Sequence, residues 1–307
     1  MPVDYPNPQR ELMSDTTSTV TATPDRAAPI LVAALLLVDG LHFVFARALA
    51  NYLPPPLSAF LVIAVATLEV AAYAVAQGKF HWAGLRRNLW FSLTIGALAG
   101  AATVISFAAV EYIDPGTAAL LNEMSIVVGI LLGVFWLKEH LPRRQVLGIA
   151  VSLVGVGIIT FQPGDYLRIG ALMILVSSTL YAMHTAVVKR HGEHIEFVEF
   201  FLWRLASMAA FLALAATAFR AWQWPSPAAW LVVLVAGTVD VVISRALYYL
   251  ALRRLKMSMF SIVLTVSPVV AILWTWGLFG IGPTLQQLLG GLAVVIGIAI
   301  VTMTRSG

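Results

Sequence analysis

The stretch Ser106–Thr160 returns 142 positions later as Tyr248–Thr302, and the two align without a gap. Twelve of the 55 aligned positions are identical, among them Ser125/Ser267, Val127/Val269, Gln145/Gln287, Gly148/Gly290, Gly155/Gly297 and Thr160/Thr302. Apolar sequences match by accident. An ungapped match that carries Q-x-L-G-x6-G in both copies is harder to dismiss, and it reads as two copies of one unit.

The environment of those units follows from composition. Of 307 residues, 60% are hydrophobic and 11% charged, far outside the soluble range. A membrane-crossing helix needs about 20 mostly apolar residues. Ten stretches qualify, near 29–50, 57–77, 89–110, 116–137, 144–162, 168–189, 196–218, 228–251, 257–279 and 285–303. Breakers separate them, such as Leu53-Pro54-Pro55-Pro56, Asp114-Pro115-Gly116, Pro225-Ser226-Pro227 and Gly282-Pro283. The expected fold is an all-α integral membrane protein: ten transmembrane helices as two inverted five-helix repeats. Residues 1–28 form a polar Pro/Ser/Thr-rich tail expected to be disordered. The first repeat covers 29–162 and the second 168–303. The tail does not read as a signal peptide, and Met13 is an alternative start.

Charge sets the orientation. With the N-terminus in the cytoplasm, 14 Lys and Arg residues fall on the cytoplasmic side and two, Arg168 and Arg220, on the other. This positive-inside bias places both termini in the cytoplasm. It also accounts for the net charge of +4 without nucleic acid as a partner. Five spans per repeat is odd, so the second copy enters the membrane upside down. Inverted repeats of this kind build alternating-access carriers, with substrate near midplane between the repeats.

Ionised groups are costly in hydrocarbon and mark candidate sites. Asp39 and His42 lie three apart in the first span and share a helix face, as a proton pair or as a local hydrogen bond. Glu123, beside Asn122 in the fourth span, has Thr265 as its repeat partner, so the repeat itself does not require an acid there. It reads as a proton site or counter-charge, or as half of a buried pair with Arg204 or Arg245. Asp240 and Arg245 are five apart and would not face each other on an α-helix, so each is expected to find a partner elsewhere. Arg204 either binds a substrate carboxylate or locks the seventh span to a neighbouring acid. Glu69, one turn before Tyr73, reads equally as a neutral hydrogen-bonded acid between helices, and Arg47 as structural.

Aromatic residues offer a ring cage, or interfacial belts and lipid-facing packing: Tyr181, Trp203, Tyr248, Tyr249, Trp274 and Trp276. Tyr181 and His184 share a face with Ser177 and make the best cavity-lining trio. Glycines 129, 133, 148, 155, 157, 290, 291 and 297 are expected at close helix contacts, and Pro268 should kink the ninth span. There is no cysteine and no phosphate loop, HExxH or GxSxG motif. No cofactor, metal or enzymatic activity is expected.

The runs Tyr112-Ile113-Asp114-Pro115-Gly116-Thr117-Ala118-Ala119-Leu120, Trp136-Leu137-Lys138-Glu139-His140-Leu141-Pro142 and Gln145-Val146-Leu147-Gly148 resemble the EamA-type ten-helix branch of the drug/metabolite transporter superfamily. Tyr248-Tyr249-Leu250-Ala251-Leu252, Ser267-Pro268-Val269-Val270-Ala271 and Leu288-Leu289-Gly290-Gly291 extend the resemblance to the second half. It implies a secondary carrier whose cavity is lined mainly by helices 1, 3, 4, 6, 8 and 9. Relatives move amino acids, purines, nucleotide sugars, choline-like cations or drugs, and many bacterial ones export. Three features depart from the pattern: Ile281 stands where Glu139 stands in the first repeat, Arg204 lacks a helix 2 counterpart, and Asp39-Gly40-Leu41-His42 replaces the usual tryptophan.

The expected function is secondary transport of a small polar metabolite by alternating access, in a bacterial inner membrane. Amino acids or organic cations come first, because mid-membrane acids outnumber the bases that look buried with them. Export and proton coupling are expected features. Asp39, His42, Asn122, Glu123, Tyr181, His184, Arg204, Asp240, Arg245 and Tyr248 are the candidate residues for substrate and protons. A homodimer is left open. The alternative is a non-transporting sensor or assembly subunit that keeps the carrier fold.

Overall fold

The computed structural model describes residues 27–80, 89–136, 143–162, 166–167, 169–191, 196–254 and 257–303. The expected tail, all but its last two residues, lies outside them, as do Lys138, Glu139, Pro142 and Lys256. Among the described residues, ten helical spans are present. α1 runs Ala27–Asp39 and, after a break, His42–Ala50; α2 is Pro55–Ala76; α3 is Leu89–Ala109. α4 runs Pro115–Asn122 and Met124–Phe135, α5 is Arg143–Thr160, α6 is Ile169–His191 and α7 is Phe197–Ala218. α8 comprises Pro227–Ala236, a π-helical turn Gly237–Ile243 and Ser244–Arg254, followed by α9, Met257–Phe279, and α10, Leu285–Met303. Among the described residues, seven spans are long and apolar enough to cross a membrane by length and composition. A two-residue antiparallel ribbon, β1 (Phe161–Gln162) with β2 (Tyr166–Leu167), joins the halves.

Helix starts follow local chemistry. Asp114 Oδ1 accepts from the Thr117 amide at the head of α4, with Pro115 in the first turn where its missing N–H is harmless. Ser226 and Glu196 cap α8 and α7 in the same way. At α10, Thr284 and Gln287 exchange side-chain-to-amide bonds of 3.2 and 2.7 Å, a reciprocal capping box.

The repeat extends beyond the stretch in which identity is visible. An offset of 142 also relates the helix starts Pro55 and Phe197. Neighbours obey the same exchange. α2 packs on α7, α5 on α10 and α4 on α9, while α3 on α6 is matched by α8 on α1, and α7 on α3 by α2 on α8.

The α5–α10 seam shows the inversion directly. A Cβ on Gly155 would meet the Gly290 carbonyl at 2.6 Å, and one on Gly297 would meet the Gly148 carbonyl at 2.6 Å. As one number rises the other falls, so these equivalent helices cross antiparallel, as an in-plane pseudo-twofold requires. Gly291 similarly meets Leu120 of α4. Gly129 and Gly157 have nothing within 4 Å, so the expectation of close contact fails at those two.

Candidate functional site

Three spans lose their regular α pattern, and each does so at a predicted acid. In α1 the helix stops at Asp39 and resumes at His42. Gly40 lies so near α9 that a Cβ would sit 3.0 Å from the Ala271 amide nitrogen. The Leu41 amide turns to Val38 O at 3.1 Å. That releases the Leu37 carbonyl, which accepts from Trp274 Nε1 at 3.0 Å. A backbone break at membrane depth survives only when its polar groups are re-paired inside the protein, and Trp274 does that here.

The break separates the Asp39–His42 face expected from an unbroken helix. Both side chains turn to the second repeat. Ser267 donates to Asp39 Oδ2 at 2.6 Å, and His42 Nδ1 lies 2.8 Å from Asp240 Oδ2. The His42 ring also meets Phe43 and Phe107 edge-on.

In α8 the bond from the Ser244 amide reaches back five residues to Val239 O, the signature of a π turn. Residues five apart then stack. Asp240 and Arg245, too far round an α-helix to meet, share electrostatic reach. Each still takes its hydrogen bond elsewhere, as expected. Asp240 pairs with His42, Arg245 Nη2 donates to Tyr181 Oη at 3.3 Å, and Arg245 Cζ lies 5.8 Å from the Tyr248 ring centre.

In α4 the interruption falls on Glu123 itself. Its carboxyl makes no hydrogen bond or ion pair among the described residues, so the expected alternative of a buried pair with Arg204 or Arg245 is not what the structure shows. Asp39 is its nearest charged influence. Asn122 ends the preceding helical segment and is half-buried.

α6 and α7 complete the set. Arg204 Nε donates to His184 Nε2 at 3.1 Å, tying α7 to a histidine of α6. With Nε2 accepting, a neutral His184 carries its hydrogen on Nδ1, which is buried without a partner. Tyr181 stacks on His184 with centroids 5.3 Å apart. Ser177, expected to line a cavity with them, instead donates to Ala102 O at 2.7 Å and ties α6 to α3. Arg47 donates to Val110 O at 2.6 Å, beyond the C-terminus of α3. Trp203 is buried, Trp276 is 61% exposed and points outward, and the Tyr249 side chain lies outside the described residues.

One electrostatic cluster therefore draws from both repeats. Asp39 lies within reach of His42, Glu123, Tyr181 and Arg245, and Arg245 within reach of His184 and Asp240. Both arginines belong to it, two permanent cations beside the three acids Asp39, Glu123 and Asp240. The signals missed in the sequence were Trp274 and Ser267 as partners of α1, and the π turn.

The model of the EamA-like transporter family matches residues 26–161 and again 168–303. The chain belongs to this family. It is a multi-pass membrane protein of the drug/metabolite transporter superfamily. It is similar to the uncharacterized transporter YdfC of Bacillus subtilis, 30% identical over 61% of this chain and 62% of that one. An uncharacterized transporter of Synechocystis, sll1164, is 23% identical over 69% and 65% of the two chains. The match thus spans less than two thirds of either relative. A crystal structure superposes with a TM-score of 0.64 at 20% identity, covering 91% of this chain and 98% of that one, which shows the shared fold.

Proposed function

We propose that this EamA-family transporter is an alternating-access carrier of a small zwitterionic metabolite, an amino acid before an organic cation. The observation that carries this reading is the convergence of Asp39, Glu123 and Asp240 with Arg204 and Arg245 in one cluster. A bare cation would call for acids alone, whereas an amino acid needs both signs within a few ångströms. Glu123, with no hydrogen bond of its own, and Asp39 suit the ammonium group. Arg245 with Tyr181, and Arg204 with His184, suit the carboxylate, and Asn122 and Tyr248 flank the two ends. Except for His184 and Asp240, whose side chain keeps 9% of its surface, these side chains are half-buried, and His42 keeps 36% of its side-chain surface accessible. Side chains that pair across helices and still expose surface leave room for a ligand.

His42–Asp240, in place of Asp39–His42, is the pair suited to couple a proton to opening, because it joins α1 of one repeat to α8 of the other. Cytoplasmic termini are supported by the distribution of Lys and Arg, and export across a bacterial inner membrane is what the family resemblance implies.

Thermal unfolding of the purified protein against amino acids, quaternary amines, nucleobases and nucleotide sugars tests the substrate class. A ligand at 100 times its Kd stabilises by about 2.7 kcal/mol. An amino acid should do so, and Glu123→Gln should abolish the gain. Stabilisation by quaternary amines and not by amino acids would replace the zwitterion with a cation. No stabilisation across the panel would count against carriage of these classes. In vesicles, flux unchanged on collapse of the pH gradient would remove the proton step.

A further inference from the structure

Trp274 reaches across 237 positions of chain to the Leu37 carbonyl, on a face where Leu37 is 50% exposed. No water competes for a carbonyl at that depth, so a donor supplied by the protein decides whether α1 can leave the α pattern. Room for the break comes from the same helix. Gly40 lies against Ala271, one turn before Trp274 on α9.

The pseudo-twofold provides a counterpart without the donor. By the offset of 142, Trp274 corresponds to Leu132, Leu37 to Thr179, Gly40 to Ala182 and Ala271 to Gly129. The equivalent helices, α4 and α6, also pack together. Small residues therefore stand at the crossing in both halves. Leu132, however, has no hydrogen to donate, and α6 runs from Ile169 to His191 without interruption. The break goes with the ring N–H.

The break also divides α1 between neighbours. Ala27–Asp39 packs on α8 and α9 of the second repeat, whereas His42–Ala50 packs on α2, α3 and α4 of its own repeat as well as on α8 and α9. On an unbroken helix Asp39 and His42 would share a face. Here they reach different helices, Asp39 to Ser267 of α9 and His42 to Asp240 of α8.

We propose that Trp274 is a positioning residue: its indole N–H holds α1 broken at Gly40–Leu41 and so turns His42 to Asp240 while Asp39 stays on Ser267. Without that N–H the Leu41 amide returns to the Leu37 carbonyl, the helix heals, and His42 rotates away from α8. This rests on the reading of Asp39 and His42 as site residues, yet the geometry can be measured without a substrate.

The chain has no cysteine, so engineered pairs report proximity in the full-length protein. His42→Cys with Asp240→Cys reads the far side of the break, and Asp39→Cys with Ser267→Cys the near side. Each pair is bridged in membranes by a short bifunctional thiol reagent. Trp274→Phe keeps a ring and loses the N–H; in that background the first yield should fall several-fold and the second by less. Trp274→His returns a ring N–H and should recover most of the first yield. Leu120→Cys with Gly291→Cys, which joins α4 to α10, should crosslink equally in every background. A first yield unchanged by Trp274→Phe, or an equal fall in Trp274→Phe and Trp274→His, would overturn the proposal. So would a parallel fall at the α4–α10 pair, which would make Trp274 a support of the whole bundle. If the yields behave as expected while no amino acid stabilises the protein, the substrate reading fails and the positioning role stands.

Discussion

The α3–α6 contact and the α8–α1 contact are one contact made twice, related by the pseudo-twofold, yet their chemistry has diverged. On α3 the position equivalent to Asp240 is Leu98, and that of Arg245 is Thr103, whose hydroxyl bonds its own helix. α3 runs without interruption, and its tie to α6 is one neutral bond from Ser177. α8 slips into a π turn and meets α1 through an imidazole and a carboxylate. His42 and His184 themselves are equivalent by the same offset, one set against an acid and the other against Arg204. Packing was retained where it defines the fold. Charge entered where one repeat could differ from the other.

The α5–α10 seam is the control, because symmetry persists there down to the glycines. Gly155→Val and Gly297→Val each drive a side chain into backbone at 2.6 Å. Overpacking costs typically 1–3 kcal/mol, and contact with backbone puts these at about 3 kcal/mol. The two losses should agree within about 0.5 kcal/mol, as should their falls in folded yield. Gly157→Val, facing open space, should stay within about 0.5 kcal/mol of wild type. Unequal costs at Gly155 and Gly297 would mean that the seam is not symmetric in energy.

Asp240→Asn probes the asymmetric side. An asparagine oxygen can still accept from His42, so the bond persists without its charge. Bonds to charged groups contribute about 1.5–3 kcal/mol and neutral ones about 1, so the expected loss is about 1 kcal/mol. The ligand-induced thermal shift should fall far more than the stability. A variant that keeps that shift in full would show that the charge on α8 is incidental to the site.

These contrasts explain which features could be read in the residues. Span number and the two-copy plan depend on composition and on an ungapped offset, both local in the chain. Glu123 and Asp240 were visible as acids at mid-span. The break after Asp39 was not, since Trp274 and Ala271, which permit it, come from α9. A π turn changes hydrogen-bond spacing without a compositional trace, so Asp240 and Arg245 were placed apart. Glycine spacing shows that a helix has a smooth face but not which face has a neighbour, which is why Gly157 was misjudged. The partner of Arg204 was expected to be an acid because only opposite charges suggest themselves in a sequence. In the fold its Nε donates to a ring nitrogen, that of His184.

The finest comparison lies at the ends of α2 and α7. The Lys79 amide reaches Ala74 O at 2.8 Å, and the Ala221 amide reaches Ala216 O at 2.8 Å, the same six-residue closure at equivalent positions. Both closures need a left-handed residue at the turn. In the first repeat it is Gly78, with φ of 64°; in the second it is Arg220, with φ of 51°. A side chain in this region costs roughly 1–2 kcal/mol, and glycine returns about 0.5–1 of that through the entropy of the unfolded chain. Arg220→Gly should therefore stabilise by about 0.5–1 kcal/mol, and Gly78→Ala should destabilise by a similar amount although its Cβ would meet nothing within 4 Å. Thermal unfolding of the pair measures both signs. If Arg220→Gly instead destabilises, the arginine side chain contributes a contact at that end of the bundle that outweighs its backbone strain, and the second repeat has put a charge to use where the first has only a turn.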